Sequence, residues 1–149
     1  MHPFPHHYVV SSTATPDENI VLTSDGIPSL TTVTPPVFGG PGGRWSPETL
    51  LVGAVVDCFL ITFRGIARAS RMPWMSASVT CKGTLDRPNH ATQFTRFDLT
   101  ATVVLPPEAS EEQARRVLRR AEETCLITRS LKAETHLHIA VEVEQVQPA

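Results

Sequence analysis

SPETLLVGAVVDCFLITFRGIARAS, from Ser46 to Ser70, reads as one long helix. Ser46 is a good N-cap, Pro47 suits the first helical position, and the Glu48 carboxylate complements the positive end of the helix dipole. The helix is predicted to run to Ala69 or Ser70, ahead of Pro73. Its first half is apolar on nearly every face, which marks a central, buried element. The apolar run Leu50 to Ile61 is interrupted by Asp57. It falls short of the roughly 20 residues that a bilayer span needs, so no membrane insertion is expected. A carboxylate buried in such a helix needs a partner. Arg64, on the same helix face, is expected to supply it.

Upstream lie a Pro- and Gly-rich loop, Pro35 to Gly43, and three short stretches with strand character: His6–Ser11, Asn19–Ser24 and Ser29–Val33. Thr15-Pro16-Asp17 and Ser24-Asp25-Gly26 separate them as turns. Downstream, two strands alternate with period two. Ala77, Val79, Cys81, Gly83 and Leu85 line one inner face; Phe97, Leu99, Ala101, Val103 and Leu105 line the other. Ser110-Glu111-Glu112-Gln113 is a capping-box pattern, and Ala114, Val117, Leu118, Ala121 and Cys125 follow at helical spacing. A last strand carries Leu137, Ile139, Val141 and Val143 inward. Strands, helix, strands, helix, strand predicts an α+β fold with antiparallel sheets.

The 149 residues suit one domain, and 41% apolar with 19% charged residues suits an ordinary globular chain. A net charge of −2 favours neither nucleic acid nor an anionic membrane as partner. The start, Met1-His2-Pro3-Phe4-Pro5-His6-His7, lacks the basic and apolar regions of a signal peptide, so a cytoplasmic location is expected. There, three cysteines are no structural disulfide framework.

Each cysteine taken alone is most simply a core residue, since a buried thiol without a charged partner is inert. Cys81, on the inner face of a regular strand, is read so. Cys58 sits mid-helix. Cys125 closes the apolar face of the later helix near its C-terminus, where the dipole disfavours an anion. If functional, Cys125 would stay protonated and resolve an oxidised partner rather than attack peroxide. The histidines form no metal cluster: His136 and His138 share the polar face of the last strand with Glu142 and Glu144, and no CxxC or HExxH is present. The Gly-rich loop lacks the Lys-Ser/Thr of a phosphate cradle.

Taken together, Gly39-Gly40-Pro41-Gly42-Gly43, then Trp45-Ser46-Pro47-Glu48, then Cys58, and later Ala121-Glu122-Glu123-Thr124-Cys125, resemble the OsmC/Ohr family of osmotically inducible and organic hydroperoxide resistance proteins. The element order agrees over nearly the whole chain. The resemblance implies an OsmC-like domain over residues 1–149, with antiparallel sheets around two central helices, in an intertwined homodimer. It implies a thiol peroxidase acting on organic hydroperoxides: Cys58 attacks, Cys125 resolves, Glu48 assists, and a small dithiol such as a dihydrolipoyl group restores the thiols. No metal, flavin or nicotinamide is implied. Glu48 and Cys58 are separated by roughly 15 Å of helix at 1.5 Å per residue. If Glu48 assists the thiol, as the resemblance implies, that distance is expected to pair the Glu48 of one chain with the thiol of another.

The family's hydroperoxide reductases carry an arginine in the N-terminal strand region, paired with the Glu. Residues 1–43 hold no Lys or Arg here, which leaves Arg44 and Arg129 as the candidates to stabilise a thiolate. The rival reading is a non-catalytic protein on the same scaffold, binding a small apolar ligand beside weakly reactive cysteines. A plain structural partner has no positive support.

Overall fold

The computed structural model describes residues 1–145. Its elements run β1 (Ile20–Ser24), β2 (Ile27–Thr32), α1 (Pro47–Ala69), β3 (Ser76–Asp86), β4 (Gln93–Leu105), α2 (Glu111–Thr124), α3 (Leu126–Arg129) and β5 (Glu134–Val143), with single 3-10 turns at Pro36–Phe38 and Pro88–His90. They fall into two compact units, Met1–Leu51 and Val52 onward.

In the first unit β1 and β2 form an antiparallel hairpin, with Ile20 opposite Thr32 and Leu22 opposite Leu30. The turn is Asp25-Gly26, where a φ of +77° suits glycine. The third expected strand, His6–Ser11, does not form. Ser11 alone pairs with Thr23, through two backbone bonds of 2.9 Å. Tyr8, Val9 and Val10 are exposed, so no buried face holds that segment in register. After β2 the chain turns through Pro35–Gly43. A side chain on Gly40 would collide with the Thr34 carbonyl, so only glycine permits this close approach.

α1 begins as its sequence demands. The Ser46 hydroxyl accepts from the Thr49 amide (3.2 Å), and the Ser46 amide donates to the Thr49 hydroxyl (2.8 Å). This reciprocal cap satisfies two donors that a helix start leaves unpaired. The other end closes on Arg71, at φ +52°, with the Met72 amide bonded to the Ala67 carbonyl (2.9 Å) and the Arg71 amide to the Arg68 carbonyl (3.1 Å). Val55, Phe59, Phe63 and Ala67 form its buried stripe.

By length and composition α1 is able to cross a membrane, contrary to the expectation drawn from Leu50–Ile61. The apolar stretch simply resumes after Asp57. Its stripe at i, i+4 spacing is nevertheless packed in protein, and Asp57, Arg64 and Arg68 lie on the exposed side. Asp57 is therefore not a buried charge, and no Asp57–Arg64 ion pair exists among the described residues.

The second unit is built on a three-stranded sheet of order β3-β4-β5. β3 and β4 are antiparallel, with Val79 opposite Ala101 and Cys81 opposite Leu99. β5 lies parallel to β4, with Leu99 opposite Leu137 and Ala101 opposite Ile139. The wholly antiparallel expectation is thus corrected. The chain between β4 and β5 contains α2 and is long enough for a helical crossover, which returns the strand in the same direction. Ser110 caps α2 by accepting from the Gln113 amide (3.2 Å). The Gln113 side chain does not return the bond; it donates instead to the Ser70 carbonyl (3.2 Å). Phe97, Leu99, Ala101, Val103 and Leu105 of β4 are buried, as are Ala114, Val117, Leu118 and Ala121 of α2.

Candidate functional site: a thiol pair and a separate carboxylate cavity

Within the second unit α1 supplies Cys58 and the α2–α3 junction supplies Cys125. The two side chains are neighbours, and Cys58 is among the groups that raise the Cys125 thiol. All three cysteines are free thiols. Cys58 is half-buried, and its sulfur lies 4.0 Å from the Thr62 hydroxyl, one turn along α1. Cys125 is fully buried.

Cys125 does not simply end a helix. It is the C-cap of α2 and the N-cap of α3, with an extended ψ of 109° that breaks the two apart. Opposed dipole ends therefore meet there, and the helix C-terminus does not decide its acidity. Burial does: it pushes the Cys125 thiol up. The backbone N–H and hydroxyl of Thr128 pull the other way, while Cys58 adds to the rise. No arginine or lysine is among the groups acting on it. Arg129 ends α3 and is exposed. Arg44, in the first unit, is exposed too, and neither arginine forms an ion pair among the described residues. Cys81 is half-buried on β3; burial, aided by the Asp98 carboxylate, raises its thiol to about 11.

Thr62 and Thr128 are the site residues that sequence reasoning missed. Each follows its cysteine by about one helical turn, a spacing at which side chains meet. That spacing was the available signal.

In the first unit Glu48 lines a cavity of about 360 Å³ with Glu18, Ile20, Val33 and Phe38. Its Oε2 is shielded from solvent and has no hydrogen-bond partner among the described residues. The described residues hold no cluster of His, Cys, Asp or Glu suited to a metal ion.

A buried thiol beside a second thiol, on an α+β scaffold with a β4–α2–β5 crossover, defines a small dithiol protein. The chain belongs to the family of OsmC-like proteins, whose pattern matches residues 40–140. It is similar to the Bacillus subtilis uncharacterized protein YmaD, at 22% identity over 93% of this chain and 95% of that one. Among solved structures, an OsmC-like protein of unknown function from Vibrio cholerae superposes with a TM-score of 0.79 at 20% identity, covering 92% of this chain and 99% of that one. An organic hydroperoxide resistance protein OsmC from Legionella pneumophila gives 0.72 at 21% identity, covering 93% and 100%. At such identities the structural likeness is one of fold.

Proposed function

We infer that this OsmC-like protein is a thiol-dependent peroxidase for organic hydroperoxides. The observation that carries the reading is the closeness of Cys58 to Cys125, by which Cys58 raises the Cys125 thiol. The Cys58 thiolate attacks the peroxide O–O bond. One oxygen stays on sulfur as sulfenic acid, and the other leaves as alkoxide and takes a proton to become the alcohol. Cys125, held protonated by burial until then, gives its proton to the departing hydroxyl as its sulfur attacks the sulfenic sulfur. An S–S bond forms and water leaves. A small dithiol, such as a dihydrolipoyl group, reduces the disulfide by exchange and is itself oxidised. Hydroperoxide resistance proteins among the structural relatives support this substrate class.

The working unit in this reading is an intertwined homodimer in the cytoplasm, with α1 and α2 of both chains central. Support comes from α1, an apolar helix of which about a fifth is buried within its own chain. In the dimer, Glu48 of one chain assists the Cys58 of its partner. Arg44 or Arg129 supplies the positive charge beside that thiolate.

The test is hydroperoxide consumption in the presence of a dithiol. Cys58→Ser is expected to lower the rate by at least about a hundredfold; equal consumption by variant and wild type refutes the assignment. Mixing Glu48→Ala chains with Cys58→Ser chains should restore part of the activity if the site is shared between chains, and none if it is not.

One observation favours a second reading, that of a non-catalytic binding protein: among the described residues, burial rather than a cation governs the Cys125 thiol. Thiols of both cysteines that resist alkylation at neutral pH, together with a co-purified small molecule, would select it.

A further inference from the structure

Strand β5 is the last of its sheet, and its far edge is unpaired. All ten of its residues, Glu134–Val143, are in register with β4 on one side. Among the described residues no backbone group bonds to the other side. A free edge of this length is a row of open N–H and C=O groups, ready to take a further strand. A groove follows that edge. One wall is residues 135–139, five in succession. Successive side chains of a strand point to opposite faces, so an opening lined by all five runs along the edge and not along a face. The other wall is one stripe of α2: Arg115, Arg119, Glu122 and Glu123.

Most charges around the groove are already answered. Glu123 pairs with Arg120 (3.6 Å), His136 with Glu134 (3.3 Å), and His138 faces Asp98 (3.8 Å). Burial, with Glu123, pushes the Glu122 carboxyl up, and His136 opposes the rise. Arg115 and Arg119 are left over: neither forms an ion pair among the described residues. They stand four residues apart, roughly 6 Å along the helix axis. Alternate residues of a strand stand roughly 7 Å apart on one face. Two carboxylates at alternate positions of an added strand therefore match the two guanidiniums in sign and in spacing. A second copy of β5 does not offer such a pair. On the face that α2 covers it carries Leu137, Ile139, Val141 and Val143, and its carboxylates, Glu134 and Glu142, lie on the opposite face.

We propose that the β5 edge is a docking site for an extended acidic segment of another protein, which adds to the sheet as a strand and sets carboxylates at alternate positions against Arg115 and Arg119. The inference goes beyond the peroxidase reading and does not depend on it, because no thiol takes part.

Fluorescence anisotropy of the full-length protein with labelled eight-residue peptides tests it. The first peptide alternates Glu with Val between terminal Thr residues, and the second has Lys for every Glu. Two more keep the Glu side chains and are N-methylated, one at the Glu and one at the Val positions, which removes main-chain donors from one edge or the other. The Glu peptide is expected to bind at least about tenfold more tightly than the Lys peptide, and one of the methylated peptides to lose at least about tenfold. Arg115→Gln with Arg119→Gln should weaken the Glu peptide by about fivefold, as expected of two partly exposed ion pairs. Equal affinity for the Glu and Lys peptides overturns the proposal, and so does no binding of either. Unchanged affinity of both methylated peptides overturns it too, since charge alone would then hold the peptide. Sedimentation gives the last check: self-association that the double variant abolishes would assign the edge to a second copy, and the proposal would fall.

Discussion

Cys58 and Cys125, far apart in the chain, are neighbours at the point where α2 breaks into α3, close enough for Cys58 to raise the Cys125 thiol. The break matters for the chemistry. Continued helical geometry would leave Cys125 as one more residue of a buried stripe. The extended backbone at Cys125 instead starts a new turn, whose Thr128 hydroxyl donates to the Cys125 carbonyl (3.1 Å). Burial outweighs the opposing effect of Thr128, so the thiol is pushed up and held protonated.

Removing the resolving group should therefore change the product rather than the first step. In Cys125→Ser the Cys58 sulfenic acid has no thiol beside it. Exposed to excess hydroperoxide, the variant is expected to pass on to sulfinic and sulfonic acids, while wild type stops at the disulfide. Intact-mass measurement after peroxide treatment distinguishes the two. A variant that remains unoxidised at Cys58 would show that this thiol does not react first.

Raised thiol pKa values also predict how stability depends on pH. In the unfolded chain a cysteine titrates near 9.0; in the fold burial holds Cys81 protonated up to about 11. Below pH 9.0 both states carry the proton and the thiol contributes no slope. Between 9.0 and about 11 the folded state binds more protons than the unfolded one, so stability falls as pH rises. Cys125 shifts in the same direction. The urea midpoint should drop between pH 8 and pH 10.5, and the drop should be smaller in Cys81→Ala. An equal drop in that variant would assign the loss to other groups.

Legibility from sequence followed the range of the interaction. Both ends of α1 were readable because Ser46, Pro47 and Pro73 act locally. Strands β3 and β4 were readable because inner and outer residues alternate. The direction of β5 was not, since Leu137, Ile139 and Val141 alternate identically in parallel and antiparallel pairing; only the crossover through α2 decides. Nor was the break at Cys125, where Cys125-Leu126-Ile127-Thr128-Arg129 continues a plausible helix. The candidate site divided in the same way. The family resemblance pointed to Glu48, Cys58 and Cys125, but the closeness of the two cysteines and the shielded oxygen of Glu48 are tertiary facts. Asp57 was misread because an apolar sequence neighbourhood does not show which side of a helix faces out.

Gly83 makes a last, sharp test of the packing around α1. In a strand interior glycine normally weakens the element, having no side chain to pack. Here the space of the missing side chain is taken by three neighbours. A Cβ on Gly83 would lie 2.7 Å from Val52 Cγ2 on α1, 3.0 Å from Phe94 Cε1 and 3.2 Å from Phe97 Cε1. Phe94 and Phe97 are themselves stacked at 5.4 Å, and Phe97 is fully buried, so the pair has little room to retreat. Val52 lies on the helix that carries Cys58, so strain at Gly83 pushes on the thiol-bearing element. Gly83→Ala is expected to destabilise the protein by about 1–3 kcal/mol, despite the better strand propensity of alanine. Gly83→Ala with Val52→Ala should recover part of the loss, because the closest clash is gone. Urea denaturation of the two variants and wild type checks both statements. A single variant as stable as wild type would mean that α1 and β3 are not packed in this register.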